Sequence, residues 1–354
     1  MKVLVTPLNW GLGHATRCIP IINKLIENKV EVIIGSDGRA LSLLKKEFPN
    51  LTFIDLPPYD VNYNGTSFNW TIFRQIIKIQ KAISSEREAI QKVISEYEVD
   101  FIISDNRYGC YSSKVPSFII THQTNILNSV SIFSFFATKV VHSLLKNFNE
   151  IWIPDKLPPN NLSGLLNKPL PKLPVHYIGV LSRMSEMALK KEYDILIILS
   201  GPEPKRTQLE EVLIQQAFKL KNLKIAVVQG KSEGDAKHFS KGTVEVFNYL
   251  TSGSLNTLIC KSELIICRSG YTSLMDLSYL KKKVLFIPTK GQPEQEYLGR
   301  KCHTKNWANL QSEDNVDIKK AYENRLDFNF NVDKTEDDLL GNKLDEILSK
   351  LLST

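Results

Sequence analysis

Short β-branched apolar runs alternate with longer stretches whose apolar residues recur every three or four positions. VLVTP is followed by CIPIINKLIENK, VEVIIG by RALSLLKKEF, LTFIDL by a long amphipathic stretch ending ISEYEV, and FIISD by SFIITH. That alternation predicts α/β architecture with a doubly wound parallel sheet, because parallel strands need helical crossovers that cover both faces. Around residues 155 to 174 the pattern stops in PDKLPPNNLSGLLNKPLPKLP, whose six prolines disfavour helix and interior strand alike. It restarts with DILIILS, QLEEVLIQQAFKL, LKIAVVQG, VEVF, LNTLICK, ELIICRSG, TSLMDLSYL and VLFIPT. Two tandem domains are therefore expected, 1–158 and 177–335, joined by a linker over 159–176. KKAYENRLDFNFNVDKTE reads as irregular and highly charged, and an amphipathic helix is expected within 336–354.

The longest apolar stretch, Leu127 to Lys146, is interrupted by serines, Asn128, Lys139 and His142, which makes it a poor bilayer span. Ile132, Phe135, Phe136, Val140 and Leu144 recur at helical spacing, which suits a core-facing stripe or a face that dips into a membrane surface. A length of 354 residues with 42% hydrophobic and 23% charged side chains fits a folded chain of two ordinary domains. The net charge of +7 favours anionic partners without choosing among them. Lysines spread along the helices, and KKK at 281–283 ahead of a strand, give no nucleic-acid footprint. The five cysteines form neither a CxxC pair nor a zinc-ligand cluster, so reduced thiols and a cytoplasmic location are expected. MKVLVTPLNW reads as a first strand rather than a signal peptide.

Candidate chemistry gathers at three glycine turns, each between a strand and a helix, where free N–H groups and the helix dipole favour anions. In LNWGLGHATR, Gly11 and Gly13 let the backbone bend toward a ligand and His14 opens the helix. A dinucleotide fingerprint fails there, since Thr16 stands at the third glycine position, although Asp37 sits where a ribose-binding acid would. LSGPEPKR carries Ser200 and Gly201 at a tight turn, and ICRSGYTSLMD carries Arg268, Ser269 and Gly270, with Asp276 six residues further on. PTKGQPEQEYL then offers Gln292, Glu294, Gln295 and Glu296 on a loop, a density of planar amides and carboxylates that suits sugar hydroxyls.

CRSG, the acid six residues later and the loop ending EQEY resemble the C-terminal domain of family 28 glycosyltransferases. GLGH is similar to that family's glycine-rich loop, THQTN (Thr121 to Asn125) to its H-E-x-N loop, and YIGVLSR to the segment whose arginine approaches the diphosphate. The chain departs from that pattern at Gln123, where the family has glutamate, and at Pro202 and Pro204 in the second glycine turn. The resemblance implies a GT-B fold, two Rossmann-like domains facing a cleft, and transfer of a sugar from a UDP-sugar to an acceptor hydroxyl with inversion.

It also implies residue roles. Arg183, Ser200, Gly201, Arg268, Ser269, Gly270, Asp276, Gln295 and Glu296 would bind the donor, with Asp276 on the ribose and Gln295 and Glu296 on the sugar. Phe247 to Leu250 would face the base. Gly11, Gly13, His122, Gln123 and Asn125 would line the acceptor side, and His14 or Asp105 would be the general base. The donor would be used without a metal. A lipid-linked acceptor and peripheral attachment to the inner face of the cytoplasmic membrane are in keeping with this resemblance, and no nucleic-acid partner is. A UDP-sugar epimerase of the same fold and a non-catalytic nucleotide-sugar-binding protein are the rival readings.

Overall fold

The computed structural model describes residues 1–59, 68–128, 131–201, 203–231, 237–330 and 338–353. The chain divides into two compact units, Met1–Leu181 with Thr335–Thr354, and Ser182–Lys334. Pro202 of the second glycine turn lies outside the described residues.

In the first unit β1 (Lys2–Pro7) leads through a glycine turn to α1 (Leu12–Glu27). Then come β2 (Glu31–Ser36), α2 (Gly38–Glu47), β3 (Thr52–Asp55), α3 (Phe68–Tyr97), β4 (Phe101–Asp105), β5 (Ser117–Ile120), α4 (Ser131–Leu145), β6 (Glu150–Ile153) and β7 (Val175–Tyr177). The seven strands run parallel in the order β3-β2-β1-β4-β5-β6-β7. β1 and β4 are almost wholly buried, which is why they read as continuous apolar runs rather than alternating ones. α1 covers one face with Ala15, Cys18, Ile19, Ile21, Ile22 and Leu25, and the described part of α3 covers the other with Ile90, Val93 and Ile94.

The Pro-rich stretch belongs to this unit. Asp155 is buried and accepts from the amides of Lys156, Leu162 and Ser163, which folds residues 155–163 into a loop before β7 extends the sheet edge. A C-terminal helix (Leu339–Leu352) also belongs here, with Leu340, Leu344, Ile347 and Leu348 buried and Lys343 paired with Glu150 at 2.8 Å.

The second unit repeats the plan with β8 (Tyr193–Ile198), α5 (Lys205–Lys219), β9 (Ile225–Val228), β10 (His238–Lys241), β11 (Val244–Phe247), α6 (Ser252–Cys260), β12 (Ser262–Cys267), α7 (Tyr271–Tyr279), β13 (Lys283–Phe286), α8 (Pro293–Thr304), β14 (Asn309–Leu310) and α9 (Ile318–Glu323). Its order is β10-β11-β9-β8-β12-β13-β14, parallel except for β10 against β11. All five cysteines are free and buried.

Three local expectations change. The Gln/Glu-rich segment is not a loop: with proline at its first position and Glu294 and Glu296 in its first turn, it begins α8. The charged segment after β14 is not wholly irregular, because Asp317 accepts from the Lys320 amide and caps α9. The apolar stripe of α4 does not face the core: Phe135 and Phe136 are 55% and 57% exposed, and Ile132, Phe133 and Val140 are exposed beside them. The opposite side of α4 does the packing, through Leu145 and through Thr138 and His142, which bond to the 124–126 segment.

Candidate active site

In both sheets the chain reverses its winding at the centre, between β1 and β4 and between β8 and β12. At such a switch point the loops leaving the two strand ends diverge, and a crevice opens beyond them. His14, Asp105 and the three glycine turns singled out from sequence fall at these two places.

In the first unit Pro7 pairs with Asp105 in register, and the Leu8 amide donates to the Asp105 carbonyl at 3.0 Å. Gly11, at φ 92°, turns the chain into α1 and has open space where a side chain would stand. His14 lies in the first turn of α1, and Arg17 lies three residues on, on the same face. His14 Nδ1 is 2.8 Å from Asp105 Oδ1. Arg17 donates to both oxygens of Asp105 through Nε and Nη2. Its Nη1 donates to His122 Nδ1 at 2.8 Å, and Nη2 is 2.9 Å from His14 Nδ1.

Asp105 has no exposed surface and Arg17 almost none, whereas the His14 side chain keeps 14% of its surface. Burial pushes the Asp105 carboxyl up, but the Arg17 charge, then His14, and hydrogen bonds from both hold it well below the usual carboxylate range. Burial first and the Arg17 charge second hold His14 below its ordinary value, against the pull of Asp105.

The remaining first-unit residues divide. Gly13 accepts from buried Thr16, and this hydroxyl occupies the place where a dinucleotide site needs a glycine. Asp37 is also unsuited to a ribose, since Arg107 holds its Oδ1 and Asn9 its Oδ2. Asn125 is structural: its Nδ2 donates to the Leu165 carbonyl at 2.9 Å and its Oδ1 accepts from Thr138. Gln123 is half-buried, and its backbone N–H donates to Thr121 Oγ1.

In the second unit the turns after β8 and β12 lie side by side because their strands pair through Ile198 and Cys267. Ser200 is exposed, Gly201 has φ 110°, and Gly270 begins α7; above both glycines a Cβ would meet nothing. Ser269 Oγ donates to the Gln295 carbonyl at 2.7 Å, which ties this turn to α8. Asp276 accepts from Ser182 Oγ at 2.7 Å, and burial raises its carboxyl against the pull of the Arg183 charge. Arg183 Nη1 donates to Ser252 Oγ at 3.0 Å, while its buried Nε has no partner among the described residues.

Arg268 does not point into the turn. It is buried, donates to the carbonyls of Ile287, Pro288 and Lys205, and pairs with Glu313, so it acts as a strut under the loops. Gln295 and Glu296 also serve their own turn, accepting from the amides of Thr289 and Gly291 at 2.9 Å. Phe247 stacks on His238 at 4.5 Å.

Sequence reasoning missed Arg17, although its spacing from His14 was the available signal. It also missed a second buried array in which Arg107 meets Glu86 as well as Asp37, and Glu86 accepts from Tyr59 and the Gly109 amide. No spacing rule joins those residues, because they come from separate elements. Among the described residues no group of three His, Cys, Asp or Glu side chains could hold a metal ion.

The model of the glycosyltransferase family 28 C-terminal domain matches residues 202–334. An uncharacterised glycosyltransferase of Methanosarcina mazei is 21% identical over 324 residues, covering 84% of this chain and 82% of the relative. A UDP-N-acetylglucosamine–N-acetylmuramyl-(pentapeptide) pyrophosphoryl-undecaprenol N-acetylglucosamine transferase of Sulfurihydrogenibium is 24% identical over 222 residues, 60% of this chain and 58% of its own. Among solved structures, the spinosyn rhamnosyltransferase SpnG has a TM-score of 0.62 at 14% identity, over 99% of this chain and 96% of that one. MurG of Acinetobacter baumannii has a TM-score of 0.55 at 14% identity, over 100% and 99%. With a family 28 C-terminal domain matched in its second unit, glycosyltransferase relatives along most of its length and GT-B neighbours over the whole of it, the chain is a glycosyltransferase of the GT-B fold that is similar to family 28.

Proposed function

We propose that the protein moves a sugar from a UDP-sugar to an acceptor hydroxyl with inversion, with His14 as general base. The observation that carries this reading is the His14–Asp105 pair at the first switch point: the carboxylate is closed off, and the imidazole alone of the two has exposed surface. His14 Nε2 takes the hydroxyl proton as the acceptor oxygen bonds to the anomeric carbon. The bond from that carbon to the diphosphate breaks, and its electron pair leaves with UDP. A neutral imidazole at physiological pH suits this task.

On the donor side, the amides of the Gly201 and Gly270 turns and the N-terminus of α7 would hold the diphosphate, and Arg183 would meet the departing charge without a metal. A nucleotide donor is supported by the relative named for UDP-N-acetylglucosamine and by a second structure of SpnG, with a TM-score of 0.60, complexed with thymidine diphosphate. Asp276 remains our candidate for the ribose, reached by exchanging its Ser182 bond.

The exposed face of α4, with Lys139 and Lys146 beside it, supports a peripheral contact with an anionic bilayer that carries a lipid-linked acceptor. No helix among the described residues is long and apolar enough to cross a membrane.

The test is a thermal-shift titration with UDP, dTDP, GDP and NAD, with and without EDTA, followed by transfer and hydrolysis assays on UDP-sugars. UDP should stabilise the protein whether or not EDTA is present. His14→Ala should bind UDP as the wild type does and lose transfer by about a hundredfold or more. Stabilisation by dTDP alone would change the donor, and normal turnover by His14→Ala would remove the base.

A further inference from the structure

Asp37 stands at the residue that precedes α2, yet its carboxylate does not cap that helix. Its Oδ1 accepts from Arg107 Nη2, and its Oδ2 accepts from Asn9 Nδ2 at 2.9 Å. The capping comes from another loop: the Ala40 amide, in the first turn of α2, donates to Asn9 Oδ1 at 3.2 Å. A backbone N–H only donates and an ionised carboxylate only accepts, so a single orientation of the Asn9 amide satisfies both. Gly38 makes room for it. A Cβ there would run into Asn9 Nδ2, and the backbone sits at φ 50°.

The two side chains therefore tie together three loops at the carboxyl ends of strands: the one after β1 that carries Asn9, the one after β2 that carries Asp37, and the one after β4 that carries Arg107. Gly11, at the N-cap of α1, has no side chain with which to fix the first turn. The chain that enters this turn is held further back, by the Leu8 amide on the Asp105 carbonyl and by the Asn9 side chain.

We propose that Asn9 and Asp37 are positioning residues, whose side-chain clip holds the glycine turn against α2 and so sets His14 in place beside Asp105. The inference rests on the reading of His14 as the base. Asp37 could have capped α2 by itself. Turning it to Arg107 and Asn9 keeps α2 capped and adds a bond between the glycine turn and the loop that follows Asp105.

The His14 titration in proton NMR spectra of the full chain tests this without any substrate. Burial and the Arg17 charge hold His14 below 6.5 in the intact site, so a loosened turn lets its midpoint rise toward that value. Asn9→Asp keeps an acceptor for Ala40 but sets a second carboxylate against Asp37. Asp37→Asn sets two amide NH2 groups face to face while Arg107 holds the remaining oxygen. The two changes alter the charge in opposite senses, so a rise in both reports movement of His14 rather than charge. Each should also speed hydrogen exchange over residues 8–17 by about tenfold. The double variant Asn9→Asp/Asp37→Asn reverses the bond between the two side chains and keeps an acceptor for Ala40 and for Arg107, so it should restore both readings. A clip that served stability alone would lower the melting temperature of the single variants and leave the His14 midpoint in place, which overturns the proposal. A double variant that behaves as the single ones overturns it too. Where a single variant does not fold, the double variant decides: the wild-type midpoint supports the clip, and a raised midpoint or an unfolded chain overturns it. Restored readings in a protein that binds no UDP and transfers no sugar would leave the clip standing and remove the proposed function instead.

Discussion

Asp105 and Arg107 flank Asn106, which is held at φ 57°, a left-handed conformation that asparagine tolerates better than most residues. The two neighbours feed separate ion networks, one at the proposed base and one buried with Glu86, Asp37 and Tyr59. Glu86→Ala would leave the Arg107 guanidinium buried with a single carboxylate. We expect a loss of about 1–3 kcal/mol in urea unfolding, since the Tyr59 hydroxyl and the Gly109 amide lose their acceptor while Asp37 still faces the guanidinium. Glu86→Gln keeps an acceptor for Tyr59 and the Gly109 amide and should cost less. Burial pushes the Glu86 carboxyl up, and Arg107, Tyr59 and Gly109 pull it back only in part. The native state therefore holds this proton at pH values where the unfolded chain has released it. The Glu86 contribution is full below 4.5, the ordinary value, and is lost as pH rises through the raised folded value. Stability profiles of the wild type and Glu86→Gln should diverge with that sign, and parallel profiles would show Glu86 ionised throughout.

Helix α4 shows what periodicity carries and what it omits. The spacing of Ile132, Phe135, Phe136 and Val140 marks one face of a helix, but an identical stripe serves a core or a membrane. Only the neighbours distinguish them. Here Thr138 holds the Ile126 amide at 3.0 Å and His142 the Thr124 carbonyl at 3.0 Å, so the polar side turns inward. Phe135→Asp/Phe136→Asp should fold as the wild type does and lose sedimentation with anionic phospholipid vesicles, because the altered side chains are exposed. Equal sedimentation of both would remove α4 as the contact. The strands were more legible, since a buried parallel strand such as FIIS has an apolar run that no exposed segment would keep. The start of α8 was obscured by the polarity of PEQEYL, which in the structure complements the helix dipole.

At the scale of the molecule, the restart of the β/α pattern after the prolines made two α/β units visible. The assignment of the C-terminal helix to the first unit was not visible, because an amphipathic helix carries no address for its partner. Its docking depends on contacts among distant residues: Lys24 meets Asp338 at 2.7 Å, and Lys343 meets Glu150. Removing residues 335–354 would expose the sites that Leu340, Leu344, Ile347 and Leu348 cover. At roughly 1.5–3 kcal/mol for each aliphatic side chain, that loss approaches the whole stability of a typical domain. We expect early melting of the first unit, with stabilisation of the second unit by UDP retained. A truncated chain that melts as the intact one does would show the helix to be dispensable.

The same docking orders events during synthesis. Residues 182–334 are complete before the helix that finishes the first unit is translated, so the second unit has all its strands while the first still lacks a cover. Domains fold as units while the chain emerges, and the usual N-terminal-first sequence is here reversed for completion. Until that helix arrives, the unit bearing His14 presents an apolar surface that invites chaperone capture, and the nascent protein completes its second unit before its first.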